Sequence, residues 1–369
     1  MIDFDLDIQA EAQAIHFVWF LFAYIITFFS NRKLIFRDYA PSIKNPIGDF
    51  VLGVSVVVLS IAAYTRGDFY HYAAAVQSGY DEHLEDFYLW LIDVCQKNYL
   101  LWRITIWGTA LLLILYTSNR LGLDKRYVFF VFFLSYIHIF NYARVSLACA
   151  VYYCGLSFII KPGRSRIISY LIGIAMIWCC QFFHTSAYVL IALTLLVIVP
   201  FNRYTITVYI LAVVLFMRLG YSFLLDQLFQ IGSDELYAER FLMYANDDRS
   251  FAGGPAAWIA RVLEFGSFYL PFVLITHTVF FSKQSIDSFI KLLYKVTFGV
   301  VIAATVFFFS SNTVVFFYRV LYMSIIPITF LLVYLYTSGK MSNRSFKLCV
   351  YWVMANILYT NLYGFYLKH

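Results

Sequence analysis

Arg144 and His184 stand at the two ends of a pair of adjacent apolar segments, in NYARVSLACAVYYCGLSFIIKPGRSRIISYLIGIAMIWCCQFFHTSA, Asn141 to Ala187. Lys161, Arg164 and Arg166 form a basic turn between the segments. If that turn is cytoplasmic, both residues surface on the opposite side of a membrane. Arg319 stands like Arg144 in an apolar helix, about one turn from its outer end. A guanidinium placed there holds an anionic lipid head group, most naturally a diphosphate, or it snorkels to the interface. Arg240, in YAERFLMY, is a third such residue on a loop. His184 is open to three readings: general base, hydroxyl ligand, or helix cap. The run Arg66-Gly67-Asp68-Phe69-Tyr70-His71-Tyr72 joins a glycine turn, a carboxylate, a histidine and tyrosines just outside an apolar helix. That chemistry can grip or deprotonate a hydroxyl group; the same residues also make an ordinary start to an amphipathic loop.

The elements that must position these residues are membrane helices. Of 369 residues, 62% are hydrophobic and only 13% charged, with mean hydropathy +0.75. Soluble domains carry roughly 25% charged residues, so the composition is that of a polytopic membrane protein. A span needs about 20 mostly apolar residues. Twelve stretches fit, near 14–30, 47–65, 99–118, 127–142, 144–160, 167–183, 186–201, 204–220, 259–281, 292–310, 314–336 and 347–366. The pair 127–142 and 144–160 has almost no loop between its members, which leaves room for one to be re-entrant or broken. The N-terminal MIDFDLDIQAEAQ is acidic and lacks the basic start of a cleavable signal.

Lys and Arg orient the chain. Loops 31–46, 119–126 and 161–166, then Arg203, Lys283–Lys295 and Lys340–Lys347, are basic, so every second loop is basic. These loops are expected in the cytoplasm, with both termini and the long loops 66–98 and 221–258 outside. The outer side then holds Lys97 and Lys368 but eight arginines: Arg66, Arg103, Arg144, Arg218, Arg240, Arg249, Arg261 and Arg319. The orientation rule does not separate Arg from Lys, whereas bidentate recognition of phosphate or carboxylate does. Most of the acids, from Asp3 to Glu264, also fall on that side and offer the plainer reading of simple ion pairing. That reading suits Arg249 beside Asp247 and Asp248. It suits Arg144 and Arg319 less, because no acid is near them in sequence.

Loop 66–98 is amphipathic: Phe69, Tyr72, Ala73 and Val76, then Phe87, Leu91 and Val94, follow helical spacing and predict a segment lying along the outer interface. Loop 221–258 ends in SFAGGPAAW, a turn suited to a flap. The 39 Phe and 31 Tyr fit lipid-facing rings and interfacial belts, with a binding cleft as the sharper reading. The six Cys have no metal-ligand spacing and read as packing residues. Walker, GxGxxG, HExxH and DxD motifs are absent, so ATP use and a metal-dependent nucleotide-sugar transferase are not supported.

Arg144-Val-Ser-Leu-Ala148, Lys161 in its basic turn and Phe183-His184-Thr-Ser186 resemble the EpsG-like branch of the Wzy-type polysaccharide (O-antigen) polymerases. Gly67-Asp68-Phe69 with Tyr72, Tyr237–Tyr244 around Arg240, and Arg319 with Tyr322 resemble further positions of that family; here Asp directly follows Gly, a departure from its pattern. The resemblance implies one all-α integral membrane domain over residues 1–369, GT-C-like, of about 12 transmembrane helices. It implies a bacterial inner-membrane glycosyltransferase that joins undecaprenyl-diphosphate-linked repeat units at the outer face. It also implies no cofactor, no metal, no nucleic acid, and a chain-length regulator and a flippase as possible partners. In this reading Arg144, Arg240 and Arg319 bind the diphosphate, Asp68 or His184 is the base, and Tyr72, His71 and Arg66 bind sugar. An O-antigen ligase shares the donor and is the nearest alternative. A transporter or flippase of lipid-linked sugars is a third reading, weakened by arginines gathered on one face only.

Overall fold

The computed structural model describes residue 18 and residues 21–36, 45–62, 69–79, 84–136, 143–195, 199–202, 204–215, 255–281, 285–310 and 320–366. Among them all regular structure is helical. The helices are α1 (Leu21–Asn31), α2 (Lys33–Phe36), α3 (Pro46–Ala62), α4 (Phe69–Ser78), α5 (Asp86–Val94), α6 (Tyr99–Leu121), α7 (Lys125–Tyr136), α8 (Ala143–Ile160), α9 (Arg166–Cys179), α10 (Tyr188–Leu195), α11 (Ile206–Leu215), α12 (Pro255–Phe281), α13 (Ser288–Ser310), α14 (Ile325–Thr337) and α15 (Asn343–Tyr366). Each of the twelve expected spans holds at least part of a helix. Among the described residues, five helical stretches are long and apolar enough to cross a membrane: Tyr99–Leu121, Ala143–Ile160, Val262–Phe281, Ser288–Val306 and Val320–Thr337.

The bundle is built around α8. Its 18 residues run unbroken, so α8 is not a broken span, and from Val145 to Ser157 every side is buried. It packs on α6, α9, α13 and α14. Helix α9 shows how a lipid environment inverts the soluble pattern. Its buried positions are Ser169, Gly173 and Ile177, while Ile167, Leu171, Ile174 and Trp178 are exposed. Small residues turned inward let helix backbones approach closely. A Cβ on Gly155 of α8 would lie 2.9 Å from the Gly173 carbonyl oxygen, and one on Gly173 would lie 2.8 Å from that of Gly155. Two glycines facing each other therefore set the α8–α9 distance.

Caps set the limits of α6. The Asn98 side chain accepts from the Leu101 N–H at 3.0 Å, and Gly122 closes the helix at φ 77°.

The basic loops converge on one end of the bundle. Arg120 Nη2 donates to the Lys161 carbonyl at 2.7 Å. The Lys161 ammonium lies 5.4 Å from the Phe289 ring centre at the start of α13. The Tyr334 hydroxyl donates to Asp287 at 2.6 Å and receives the Lys340 ammonium at 3.0 Å. Lys347 lies 6.0 Å from the Phe36 ring. Arg144 sits at the opposite end of α8, about 25 Å from Lys161 at 1.5 Å per residue.

Two expectations change. Most of the described stripe of loop 66–98 turns inward onto the bundle: Tyr72, Ala73 and Val76 of α4 and Leu91 of α5 are buried, together with Tyr88 and Ile92 beside it, and both helices pack on α6. Trp102 of α6 receives them, its ring centre 5.7 Å from Tyr72 and 5.8 Å from Tyr88. Val94, on the stripe by spacing, is 55% exposed; the register favoured by the Trp102 contacts turns it outward. The second change is a break inside Val320–Thr337, where a turn at Met323–Ser324 interrupts the helix. Backbone freed inside a membrane must be satisfied by neighbours. The Tyr153 hydroxyl donates to the Met323 carbonyl at 3.0 Å, and the Ser324 hydroxyl to that of Leu321 at 2.6 Å.

Candidate functional site

Arg144 occupies the first turn of α8. A cation there opposes the helix dipole, so it needs partners, and the segment that carries α4 and α5 supplies them. Arg144 Nη1 meets Glu85 Oε2 at 2.6 Å, the two side chains 16% and 13% exposed. Arg144 Nε donates to the Tyr72 hydroxyl at 2.9 Å. The guanidinium carbon lies 5.2 Å from the Tyr72 ring centre and 6.0 Å from that of Tyr88, within cation–π range. The plainer reading of ion pairing, which suited Arg144 less because no acid is near it in sequence, holds for Arg144. Sequence distance hid Glu85, which precedes α5 and arrives through the packing of α4 and α5 on α6.

Tyr88 and Trp102 complete the group. Both are fully buried, and among the described residues neither the Tyr88 hydroxyl nor Trp102 Nε1 has a hydrogen-bond partner. Burial pushes the Tyr88 phenol well above its ordinary range, with the Glu85 charge adding to the rise and Arg144 opposing it. Tyr88 therefore stays a neutral hydroxyl. Arg103, 2% exposed, donates to the Tyr99 hydroxyl at 3.2 Å.

His184 lies at the same end. A 3-10 turn, Cys180–Phe182, continues α9 and packs on α8. Phe183 meets Phe87 of α5 edge-on at 4.7 Å, so the start of α5 brings its N-cap Glu85 to Arg144 and Phe87 to the residue before His184. The His184 ring is buried, and its Nδ1 accepts the Ser186 N–H at 3.1 Å. The Ser186 hydroxyl lies 2.6 Å from the same nitrogen. A nitrogen that accepts a backbone N–H carries no proton, so the neutral ring holds its proton on Nε2. His184 thus caps the turn Thr185–Ala187 through Nδ1.

A second polar group lies on α12. The Tyr322 hydroxyl donates to Glu264 Oε1 at 2.9 Å, and Asn356 Nδ2 to the Ser267 hydroxyl at 3.3 Å. Nothing in the local sequence singled out Glu85, Tyr88 or Trp102; the amphipathic spacing of 66–98 was the one hint, since it showed which face would be covered. Arg66, Asp68, Arg240 and Arg319 lie outside the described residues, as does the His71 side chain.

Helices that are apolar toward the outside, lysine-rich loops at one end and a caged guanidinium at the other define a polytopic membrane protein with a charged site at one face. The chain belongs to the EpsG family: the family model matches residues 49–367. Membership makes it a polysaccharide polymerase-like membrane protein, in a family associated with glycosyltransferase-like polymerase activity. No curated protein and no solved structure matches the chain.

Proposed function

We propose that this protein elongates a bacterial surface polysaccharide (O-antigen, capsule or exopolysaccharide) at the outer face of the inner membrane. The donor is a growing chain on undecaprenyl diphosphate; the acceptor is the sugar end of another lipid-linked repeat unit. The observation that carries this reading is the Arg144 guanidinium held between Tyr72 and Glu85 at the first turn of α8. A guanidinium fixed in this way suits an anionic oxygen.

The whole chain is one membrane domain of about 12 helices, GT-C-like, with lysine-rich loops in the cytoplasm and both termini outside. In the reaction the acceptor hydroxyl oxygen bonds to the anomeric carbon of the donor chain. The bond from that carbon to the diphosphate oxygen breaks, and the diphosphate leaves with the electron pair. Arg144, joined by Arg240 and Arg319, neutralises the charge that develops on it, so that neither metal nor cofactor is needed. Asp68, four positions before Tyr72, takes the hydroxyl proton. His184 offers Nε2–H to a sugar or phosphate oxygen, and Tyr72, His71 and Arg66 line the sugar path. Much of the rate comes from alignment of a good leaving group.

Purified protein in liposomes with polyprenyl-diphosphate-linked repeat units and chelator, without nucleotide, is expected to give a ladder of multimers. An unchanged substrate band, with the native repeat unit supplied, overturns the reading. A single transfer product that forms only when lipid A-core is added identifies a ligase instead.

A further inference from the structure

A cavity of about 330 Å³ opens at the end of the bundle opposite Arg144, between the C-terminal turns of α12, the first two turns of α13 and the connection from α10 to α11. Its position follows from Lys161, which ends α8 and touches Phe289 on α13. The polar groups on its wall are donors. Lys291 and Lys295 are one helical turn apart, and so point the same way. Lys295 is 7% exposed; its ammonium donates to the Val199 carbonyl and lies 5.6 Å from the Tyr209 ring centre. Lys291 is exposed, and its ammonium has no hydrogen bond or ion pair among the described residues. Asn202 turns its oxygen to its own backbone, accepting from Tyr204 at 2.8 Å and Thr205 at 3.2 Å, which leaves its NH2 group as a donor. Ser288 adds a hydroxyl.

Among the described residues, no carboxylate lines the cavity. The nearest in sequence, Asp287, is engaged by Tyr334. Apolar walls come from Phe201 and Phe280. Two ammonium groups, an amide and a hydroxyl facing aromatic rings make a site for a phosphate attached to something apolar. We propose that this cavity binds the phosphate group of an anionic lipid at the lysine-rich face. Basic pockets between membrane helices recognise anionic head groups in this way. The site is separate from the Arg144 group, and it stands whether or not the polymerase reading does.

Native mass spectrometry of the full-length protein, released from nanodiscs of phosphatidylglycerol and phosphatidylcholine, tests it. Retained phosphatidylglycerol is expected on the wild type. It should fall about tenfold or more in Lys291→Glu, as charge reversal beside an anionic group requires. Lys125→Glu reverses an exposed lysine in another basic loop and should leave retention unchanged. Ser288→Asp places a carboxylate in the cavity at a helix start that tolerates one, and should weaken retention without touching a lysine. A parallel arm titrates inorganic phosphate: phosphate adducts lost in the same two variants, with no lipid retained, assign the site to free phosphate. Lipid and phosphate binding equal in the wild type, Lys291→Glu and Ser288→Asp overturns the proposal.

Discussion

Glu85 and Arg144 are 59 positions apart and meet at 2.6 Å. The contact ties the segment of α4 and α5 to the first turn of the central helix and leaves Arg144 engaged from two directions, by a carboxylate on Nη1 and a phenol on Nε. A single ammonium cannot reproduce that fork.

Arg144→Ala is therefore expected to abolish polymerisation in the liposome assay while membrane insertion persists. Arg144→Lys should retain only a small fraction of the rate. Normal multimer lengths from Arg144→Ala would remove Arg144 from the site.

Glu85 acts through Arg144 and is a positioning residue. Glu85→Ala leaves a partly buried guanidinium without its acid and should cost about 1.5–3 kcal/mol, the usual range for a charged hydrogen bond, read as a lowered Tm in detergent. Glu85→Asp should recover part of both stability and rate. A Glu85→Ala protein of unchanged rate and wild-type Tm would show that the pair does neither job.

His184 separates into two functions. His184→Asn can still accept the Ser186 N–H and keep the turn, but it lacks the ring donor. Wild-type Tm with reduced turnover is the expected result, and it assigns chemistry to Nε2. Full turnover in His184→Asn would reduce His184 to a cap.

The hairpin that brings both residues to one end depends on Gly155 and Gly173. Gly173→Val places a side chain against the Gly155 carbonyl oxygen, which a Cβ would already approach to 2.8 Å. Overpacking of this kind costs about 1–3 kcal/mol. The expected outcome is a Tm drop with loss of activity, whereas Leu171→Val, on the exposed face of α9, should change neither.

Much of the architecture was legible from residue order. Hydropathy over about 20 residues is a local quantity, so the all-helical membrane class and the places of α6, α8, α12 and α13 follow from composition alone. The alternation of basic loops is also local, and the contacts of Arg120, Lys161 and Lys340 gather three of those loops at one end. Arg144 and His184 stood out because a charge or an imidazole at the end of an apolar helix is visible in the string.

Only the tertiary structure decided what those groups touch. The choice of Glu85, among many outer acids, as the partner of Arg144 depends on how α4 and α5 pack against Trp102, a contact between segments far apart in sequence. The tautomer of His184 depends on the Ser186 N–H reaching Nδ1. The interruption at Met323–Ser324 is tolerated because Tyr153, 170 positions away, satisfies a freed carbonyl. Transfer of a side chain into lipid is priced residue by residue, so sequence reveals it; hydrogen bonds and ion pairs are priced by geometry between distant segments, which only the packed bundle supplies.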